Sequence, residues 1–259
     1  MGSRYVLHEP IGRGAYGDVW RASPRAGGPP LAVKVLKPEL ASDDETVGRF
    51  LQERSILVGL EHPNLVRVHD LVIEGDTIAI VMDLAAGTDL RRLLSASPTQ
   101  APALACEVAR QIAAGLAAVH AGGVVHRDVK PENVMVDLSS PGLPLARLTD
   151  FGIARLTQSP SVTRMSGIMG TPEYIAPELA GRSAATPAAD VYSLGILLYE
   201  LCVGRTPFGG GHPVAVLRRH MDVAPPRPDG VPDRLWDLIA GLLAKDPAGR
   251  PSAAAAAAA

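Results

Sequence analysis

At 259 residues the chain has room for one large domain or two modest lobes, on an allowance of roughly 100–200 residues per domain. A composition of 47% hydrophobic and 20% charged residues with a formal net charge of −2 excludes a disordered chain and a polybasic nucleic-acid binder. Two cysteines, Cys106 and Cys202, exclude a disulfide framework and lack C-x-x-C spacing, so both read as core thiols in a reducing compartment.

Only four of the 25 basic residues are lysines (Lys34, Lys37, Lys130, Lys245) in a chain crowded with Ala, Gly, Pro and Arg, a skew that reads as GC-rich, bacterial coding. From Tyr5 to Asp83 short apolar runs such as Leu31 to Leu36 and Thr77 to Met82 predict strands, with turns at Gly27 to Pro30 and Glu74 to Asp76. One helix is expected among them, over Asp44 to Leu60, where Val47, Phe50, Leu51, Leu57 and Leu60 recur at helical spacing. After Ala86-Gly87 the periodicity is helical, as in Leu104, Val108, Ile112, Leu116 and Val119. The expected fold class is therefore α+β, a small β-rich lobe with one key helix (about 1–82), a hinge (83–87) and a larger helical lobe (88–259). The longest apolar stretch, Val191 to Val203, is broken by Tyr192, Ser193, Tyr199 and Glu200, so no membrane span is expected within these residues. The terminal alanines after Pro251-Ser252 fit a helix capped by Ser252, or the start of a linker.

Ile11-Gly-Arg-Gly-Ala-Tyr-Gly-Asp-Val19 carries Gly12, Gly14 and Gly17, which let backbone N–H groups approach a polyphosphate. A glycine-rich hairpin uses the same residues, and a dinucleotide-binding turn shares the glycines but needs a helix from the third one, whereas Val19 to Ala22 reads as a strand. Lys34 sits mid-strand, where burying an ammonium is costly without a counter-charge. Glu53 on the expected helix offers one; without the lysine it would read as part of a solvated face with Glu45 and Arg49. In Val125-His-Arg-Asp-Val-Lys-Pro-Glu-Asn-Val-Met135, Asp128 and Asn133 put a carboxylate and a carboxamide in one tight loop, one to orient a hydroxyl and the other to hold a divalent metal, with Lys130 between them for a phosphoryl group. Asp150-Phe-Gly152, 22 residues after Asp128, adds a second metal-binding carboxylate.

These motifs together, with Ala176-Pro-Glu178, Asp190 and Arg250, resemble in content and order the catalytic domain of eukaryotic-type (Hanks-type) bacterial Ser/Thr protein kinases over nearly the whole chain. The resemblance implies the two-lobed protein kinase fold and a transferase that moves the γ-phosphate of ATP, with Mg²⁺ or Mn²⁺, to Ser/Thr hydroxyls of proteins and of itself. It implies a phosphate flap at Gly12, Gly14 and Gly17 and an adenine site between Ile11, Val19 and Ala32 on one side and Met135 on the other. Met82 would be the gatekeeper, the backbone of Asp83 to Ala85 would supply hinge hydrogen bonds, and Asp89 would meet the ribose. Leu57, Val68, His126 and Phe151 would stack as a spine, which makes His126 a packing residue and not a base. Asp190 would anchor the catalytic loop, and Glu178 would pair with Arg250.

Lys130 and Thr171 resemble the Ser/Thr class. Arg127 resembles kinases controlled by phosphate on the 152–176 segment, where Thr163 is the first candidate, Ser161 and Ser166 the next, and Arg155 and Arg49 complete the basic pocket. The resemblance further implies protein substrates, a dimer for trans-autophosphorylation, and a cytoplasmic place or the cytoplasmic domain of a longer membrane-anchored protein. Two other readings are a pseudokinase scaffold, against which Lys34, Asp128, Asn133 and Asp150 are all intact, and a small-molecule kinase, which would lack Ala176-Pro-Glu178. The remaining histidines (8, 62, 69, 120, 212, 220) show no metal-binding spacing and read as structural or surface.

Overall fold

The computed structural model describes residues 4–14, 16–38, 48, 56–139, 142–150, 172–180 and 184–259. Five antiparallel strands, β1 (Tyr5–Arg13), β2 (Gly17–Pro24), β3 (Leu31–Leu36), β4 (Val68–Glu74) and β5 (Thr77–Asp83), form a sheet in the order β1-β2-β3-β5-β4. A short sheet of β6 (Thr88–Asp89), β7 (Val134–Asp137) and β8 (Leu145–Leu148) follows. The helices are α1 (Leu90–Ala96), α2 (Pro102–Ala121), α3 (Pro177–Ala180), α4 (Pro187–Val203), α5 (Pro213–Asp222), α6 (Asp233–Leu242) and α7 (Ala253–Ala258). Of the helix expected over Asp44 to Leu60, only Gly48 and residues 56–60 are described; Gly48 and 56–59 are helical and Leu60 lies just past the helix.

The alternation of β3 decides which way the first lobe faces. Leu31 and Val33 pack with Ala22, Val72, Ala79 and Val81 on the outer face, whereas Ala32 and Leu36 join the main core with Ile78, Ile80 and Met82. Because successive strand side chains point to opposite faces, Lys34 shares the inner face with Ala32 and Leu36. It stands opposite Ile80 on β5, next to the Ala32–Met82 pair.

The second lobe is built around α4, whose residues from Ala189 to Leu201 are all buried, as a helix apolar all round must be. Helix α2, in which Val108, Ile112, Leu116 and Val119 are buried, packs on it. The twenty-residue α2, with an 18-residue window of mean hydropathy 1.2, is long and apolar enough to cross a bilayer, but half of that window is buried inside the protein and the helix is part of its core. The cysteine expectation fails on this helix: Cys106 is exposed, because the inward positions are 105, 108, 109 and 112, and Cys202 is half-buried. Ser252 caps α7 by accepting from the Ala255 N–H at 3.1 Å, and Ala253 and Ala256 are buried against the α2 side.

Candidate active site

β1 and β2 form an antiparallel hairpin whose second arm starts at Gly17, so no helix follows the third glycine. The three glycines of this hairpin are not alike. A Cβ at Gly17 would lie 2.1 Å from the Val35 carbonyl oxygen on β3, so the strands could not pack as they do. At Gly12, paired with Val19 across the hairpin, a Cβ would meet only the Val19 Cβ at 3.8 Å, which is ordinary contact. Packing therefore does not require a glycine at Gly12, contrary to a purely structural reading of the hairpin. At Gly14 the Cβ would come within 3.3 Å of the Gly17 carbonyl, to which the Gly14 N–H donates at 2.9 Å. Ile11 is exposed, and Val19 packs half-buried against the core.

Lys34 is 4% exposed, and its Nζ lies 2.6 Å from Oδ2 of Asp150, 116 residues away. This is the ion pair that makes a buried ammonium tenable. The expected partner Glu53 lies outside the described residues, as do Arg49, Phe151, Arg155, Ser161, Thr163, Ser166 and Thr171. Asp150 is delivered by β8. Leu148 exchanges backbone hydrogen bonds with Asn64 and Val66, and the Thr149 N–H donates to the Asn133 carbonyl at 3.0 Å.

The loop between α2 and β7 is held from beneath by one carboxylate. Asp190, 1% exposed, accepts the His126 N–H on Oδ2 and the Arg127 N–H on Oδ1, both at 2.7 Å, and His120 Nε2 lies 2.8 Å from Oδ2. His126 is fully buried. Its Nδ1 accepts the Asp128 N–H at 3.3 Å while Nε2 donates to the Thr149 carbonyl at 3.1 Å. Those bonds make His126 a packing residue that links the two loops. Arg127 and Asp150 adopt left-handed backbone, φ 68° and 63°, a strain of about 1–3 kcal/mol each that the surrounding bonds must hold in place.

On this frame the carboxylate of Asp128 meets both neighbours. Lys130 Nζ lies 2.8 and 2.7 Å from its two oxygens, and Asn133 Nδ2 donates to its carbonyl at 2.7 Å and to Oδ2 at 2.9 Å. With the Asn133 amide N–H groups so used, its Oδ1 remains as an acceptor, as does Asp150 Oδ1 beside the Lys34-bonded oxygen. Among the described residues no three-member His/Cys/Asp/Glu cluster exists. Two hard oxygen donors of this kind suit a divalent cation that takes its other ligands from phosphate and water.

Around the cleft, Met82 is 6% exposed and lines a small cavity with Leu57, Val66, Val68, Ile80, Thr149 and Asp150. Leu57 and Val68 thus meet in one wall, and Met135 is half-buried on β7, paired with Asp89. The Asp83 N–H donates to the Arg67 carbonyl at 3.0 Å, and its side chain holds His69 at 2.6 Å. The Asp83 carbonyl and the Ala85 backbone belong to the link that runs from β5 to β6. Asp89 has a structural use as well: it caps α1, accepting the Arg92 N–H at 2.9 Å.

Two groups of residues go beyond the sequence reading. Glu178 and Arg250 pair as expected, at 2.8 Å on both prongs, but Arg250 also donates to three carbonyls (Ala188, Ala244 and Lys245) and stacks 4.8 Å over the Tyr192 ring. Arg91 on α1 donates to Glu132, Glu200 and Tyr174 at 2.9, 2.7 and 2.5 Å. Burial, and then the neighbouring Glu200 carboxylate, pushes the Tyr174 hydroxyl well above its usual range. The signal in the sequence was Glu200 itself, a carboxylate inside an apolar helix that must find a partner.

Residues 5–259 match the family model described as protein kinase domain. Among curated proteins, the chain is 51% identical over 255 residues to the serine/threonine-protein kinase PkaB of Streptomyces coelicolor, covering 96% of this chain and 60% of that protein. It is 53% identical over 264 residues to PkaA of the same organism, covering 98% and 48%. Among solved structures, Rad53 in complex with AMP-PNP superposes with a TM-score of 0.80 at 27% identity, over 98% of this chain and 64% of that one. The chain therefore spans about half to three fifths of the length of these two curated relatives.

Proposed function

The chain belongs to the protein kinase domain family, and from that premise we propose that it transfers the γ-phosphate of ATP to serine and threonine hydroxyls of proteins, itself included. The observation that carries the reading is two bonded sets of charged and polar groups, Lys34 with Asp150 and Asp128 with Lys130 and Asn133, whose loops are tied together by the Thr149 N–H on the Asn133 carbonyl at 3.0 Å. Transfer of a phosphoryl group asks little covalent chemistry of the protein and much positioning and charge neutralisation. Asp128, with its carboxylate steered by Asn133 and Lys130, accepts the hydrogen bond of the acceptor hydroxyl and aligns the oxygen for attack. Lys130 meets charge developing on the transferred group, and Lys34 meets the other phosphates under the hairpin of Gly12, Gly14 and Gly17. Since packing leaves room for a side chain at Gly12, its use in this reading is to keep the flap bare where the nucleotide approaches.

Asn133 Oδ1 and Asp150 would hold Mg²⁺ or Mn²⁺, which when bound supplies neutralisation of the phosphate oxygens. Ile11, Val19, Ala32, Met82 and Met135 form the apolar walls for adenine, Asp83 and Ala85 its backbone partners, and Asp89 the ribose contact beside its capping role. The locked Glu178–Arg250 pair steadies the segment after residue 171. A steadied platform there supports a protein acceptor over a small molecule. Thr163, with Ser161 and Ser166, is the autophosphorylation site in this reading, and Arg127 receives the phosphate; Thr171 marks the Ser/Thr class. A cytoplasmic place, alone or as part of a longer protein, follows from the need for ATP.

Incubating the purified chain with radiolabelled ATP, Mg²⁺ and a Ser/Thr-rich protein acceptor tests this. Label on the acceptor and on the chain, lost in Asp128→Asn, is the expected result; no label on either overturns the reading.

A further inference from the structure

The position of Arg91 has no explanation in helix stability. It is the second residue of a seven-residue helix that Asp89 already caps, yet its guanidinium reaches three elements at once. Nε donates to Oε1 of Glu132 on the 3₁₀ turn Pro131–Asn133, Nη1 to Oε1 of Glu200 on α4, and Nη2 to the Tyr174 hydroxyl on the turn Pro172–Tyr174. The Tyr174 hydroxyl also donates to the second oxygen of Glu200. The fork therefore joins the turn that carries Asn133 to the turn that emerges from the 151–171 segment, with a buried carboxylate on α4 as the fixed point.

The three arms differ in what they are for. Glu200, with 8% of its side chain exposed, needs a cation simply to be buried. Glu132 has 45% exposed and needs none, so that arm contributes little to folding. What it does contribute is geometry: Glu132 precedes Asn133, whose amide fixes the Asp128 carboxylate. The backbone of Tyr174 is tied down separately, its carbonyl accepting from Ser193 Oγ at 2.7 Å, so the Arg91 fork governs how its ring and hydroxyl side meet the catalytic loop. We propose that Arg91 is a positioning residue that sets the catalytic loop against the 172–174 turn, and so aligns a protein acceptor with Asp128; this rests on the phosphoryl-transfer reading above.

The test compares wild type, Arg91→Met, Glu132→Ala and the double variant, measuring kcat and KM separately for ATP and for the protein acceptor. A small misplacement of reacting groups lowers rates by about tenfold or more, so each single variant should lose about tenfold in kcat/KM for the acceptor. The KM for ATP should stay within about twofold of wild type, and the double variant should lose little more than either single one. Fully additive losses, equal losses at the ATP KM, or a lowered Tm with acceptor kinetics unchanged would each overturn the proposal. Should Arg91→Met not fold, Glu132→Ala decides alone, because it removes the acceptor of Arg91 Nε and leaves Glu200 neutralised; unchanged acceptor kinetics there reject the positioning role. A wild-type chain that labels no acceptor would instead reject the transferase reading.

Discussion

In the cleft, Asp128, Lys130 and Asp150 keep 25, 22 and 21% of their side chains exposed, whereas inside the second lobe Arg250 and Asp190 keep 0 and 1%. The cleft charges satisfy one another while leaving oxygens open to water or to a ligand. The buried ones are saturated: Arg250 spends its donors on Glu178 and three carbonyls, and Asp190 receives two backbone N–H groups and a histidine. Charge in the cleft is arranged to be used, and buried charge to hold chain segments still, the strained loop through Asp190 and the Glu178 turn through Arg250. A change in the first set should remove chemistry and leave the fold, while a change in the second should do the reverse.

The sharpest test of that division is Asp128→Asn, which is isosteric and keeps the Asn133 contacts. Phosphoryl transfer should fall by about 10²–10⁴-fold, with Tm shifted by no more than a degree or two, read by label transfer and thermal melting on the same preparation. On the other side, Arg250→Met strands the Glu178 carboxylate and three carbonyl acceptors. Removing one partner of a buried pair destabilises by about 3–5 kcal/mol, which a urea titration measures directly; a small shift would mean the pair is ornamental.

Lys34 belongs to both sets, being 4% exposed yet bonded to Asp150. Lys34→Met should abolish transfer and also destabilise by about 1–3 kcal/mol, the cost of an unsatisfied charged partner. If stability is untouched, water or another group compensates Asp150, and the comparison loses its intermediate case.

A fourth prediction concerns a buried histidine remote from the cleft. Burial, and then the cation of Lys245, lowers the His220 imidazole to about 4 from an ordinary 6.5. The Tyr192 hydroxyl lies 2.9 Å from its Nδ1, Phe208 presents an edge at 4.9 Å, and Lys245 Nζ donates to its carbonyl at 2.6 Å. Between those two pKa values the unfolded chain binds the extra proton, so this contribution is full above pH 6.5 and is lost as the pH falls towards 4. The loss should reach about 2 kcal/mol by pH 5, and His220→Gln should flatten the profile of urea midpoint against pH. The smallest effect is expected at Arg21, whose pair with Glu9 leaves both side chains about half-exposed or more. Arg21→Ala should change stability by less than about 0.5 kcal/mol, which sets the scale against which the buried pairs stand out.

Much of this site is legible in one dimension because its chemistry is local. Asp128, Lys130 and Asn133 fall within six residues, so a tight turn alone brings them together. The period-2 pattern of Leu31 to Leu36 likewise puts Lys34 on the face of Ala32. The partners of those residues were harder. Sequence spacing offered Lys34 a partner in Glu53, which lies outside the described residues, and the structure adds one that spacing did not offer, Asp150. The glycine pattern looked uniform, yet only the stacking of β2 on β3 makes Gly17 sterically obligatory while Gly12 has room to spare. Asp89, read as a ribose contact, proves also to be a helix cap, and Cys106 lies outside the core. His120, read with five other histidines as structural or surface, is structural: it braces Asp190.

What the sequence determined by itself is therefore the set of chemical groups, the alternation of the strands and the helical periodicity of the second lobe, since each depends on neighbours a few residues apart. Only the tertiary structure decided the pairings of Lys34 with Asp150, of Asp190 with the backbone of His126 and Arg127, and of Arg91 with Glu132, Glu200 and Tyr174. Those contacts span 41 to 116 residues. A charge announces that it needs a partner, but which of the chain's many opposite charges reaches it depends on how the strands and helices that carry both are stacked.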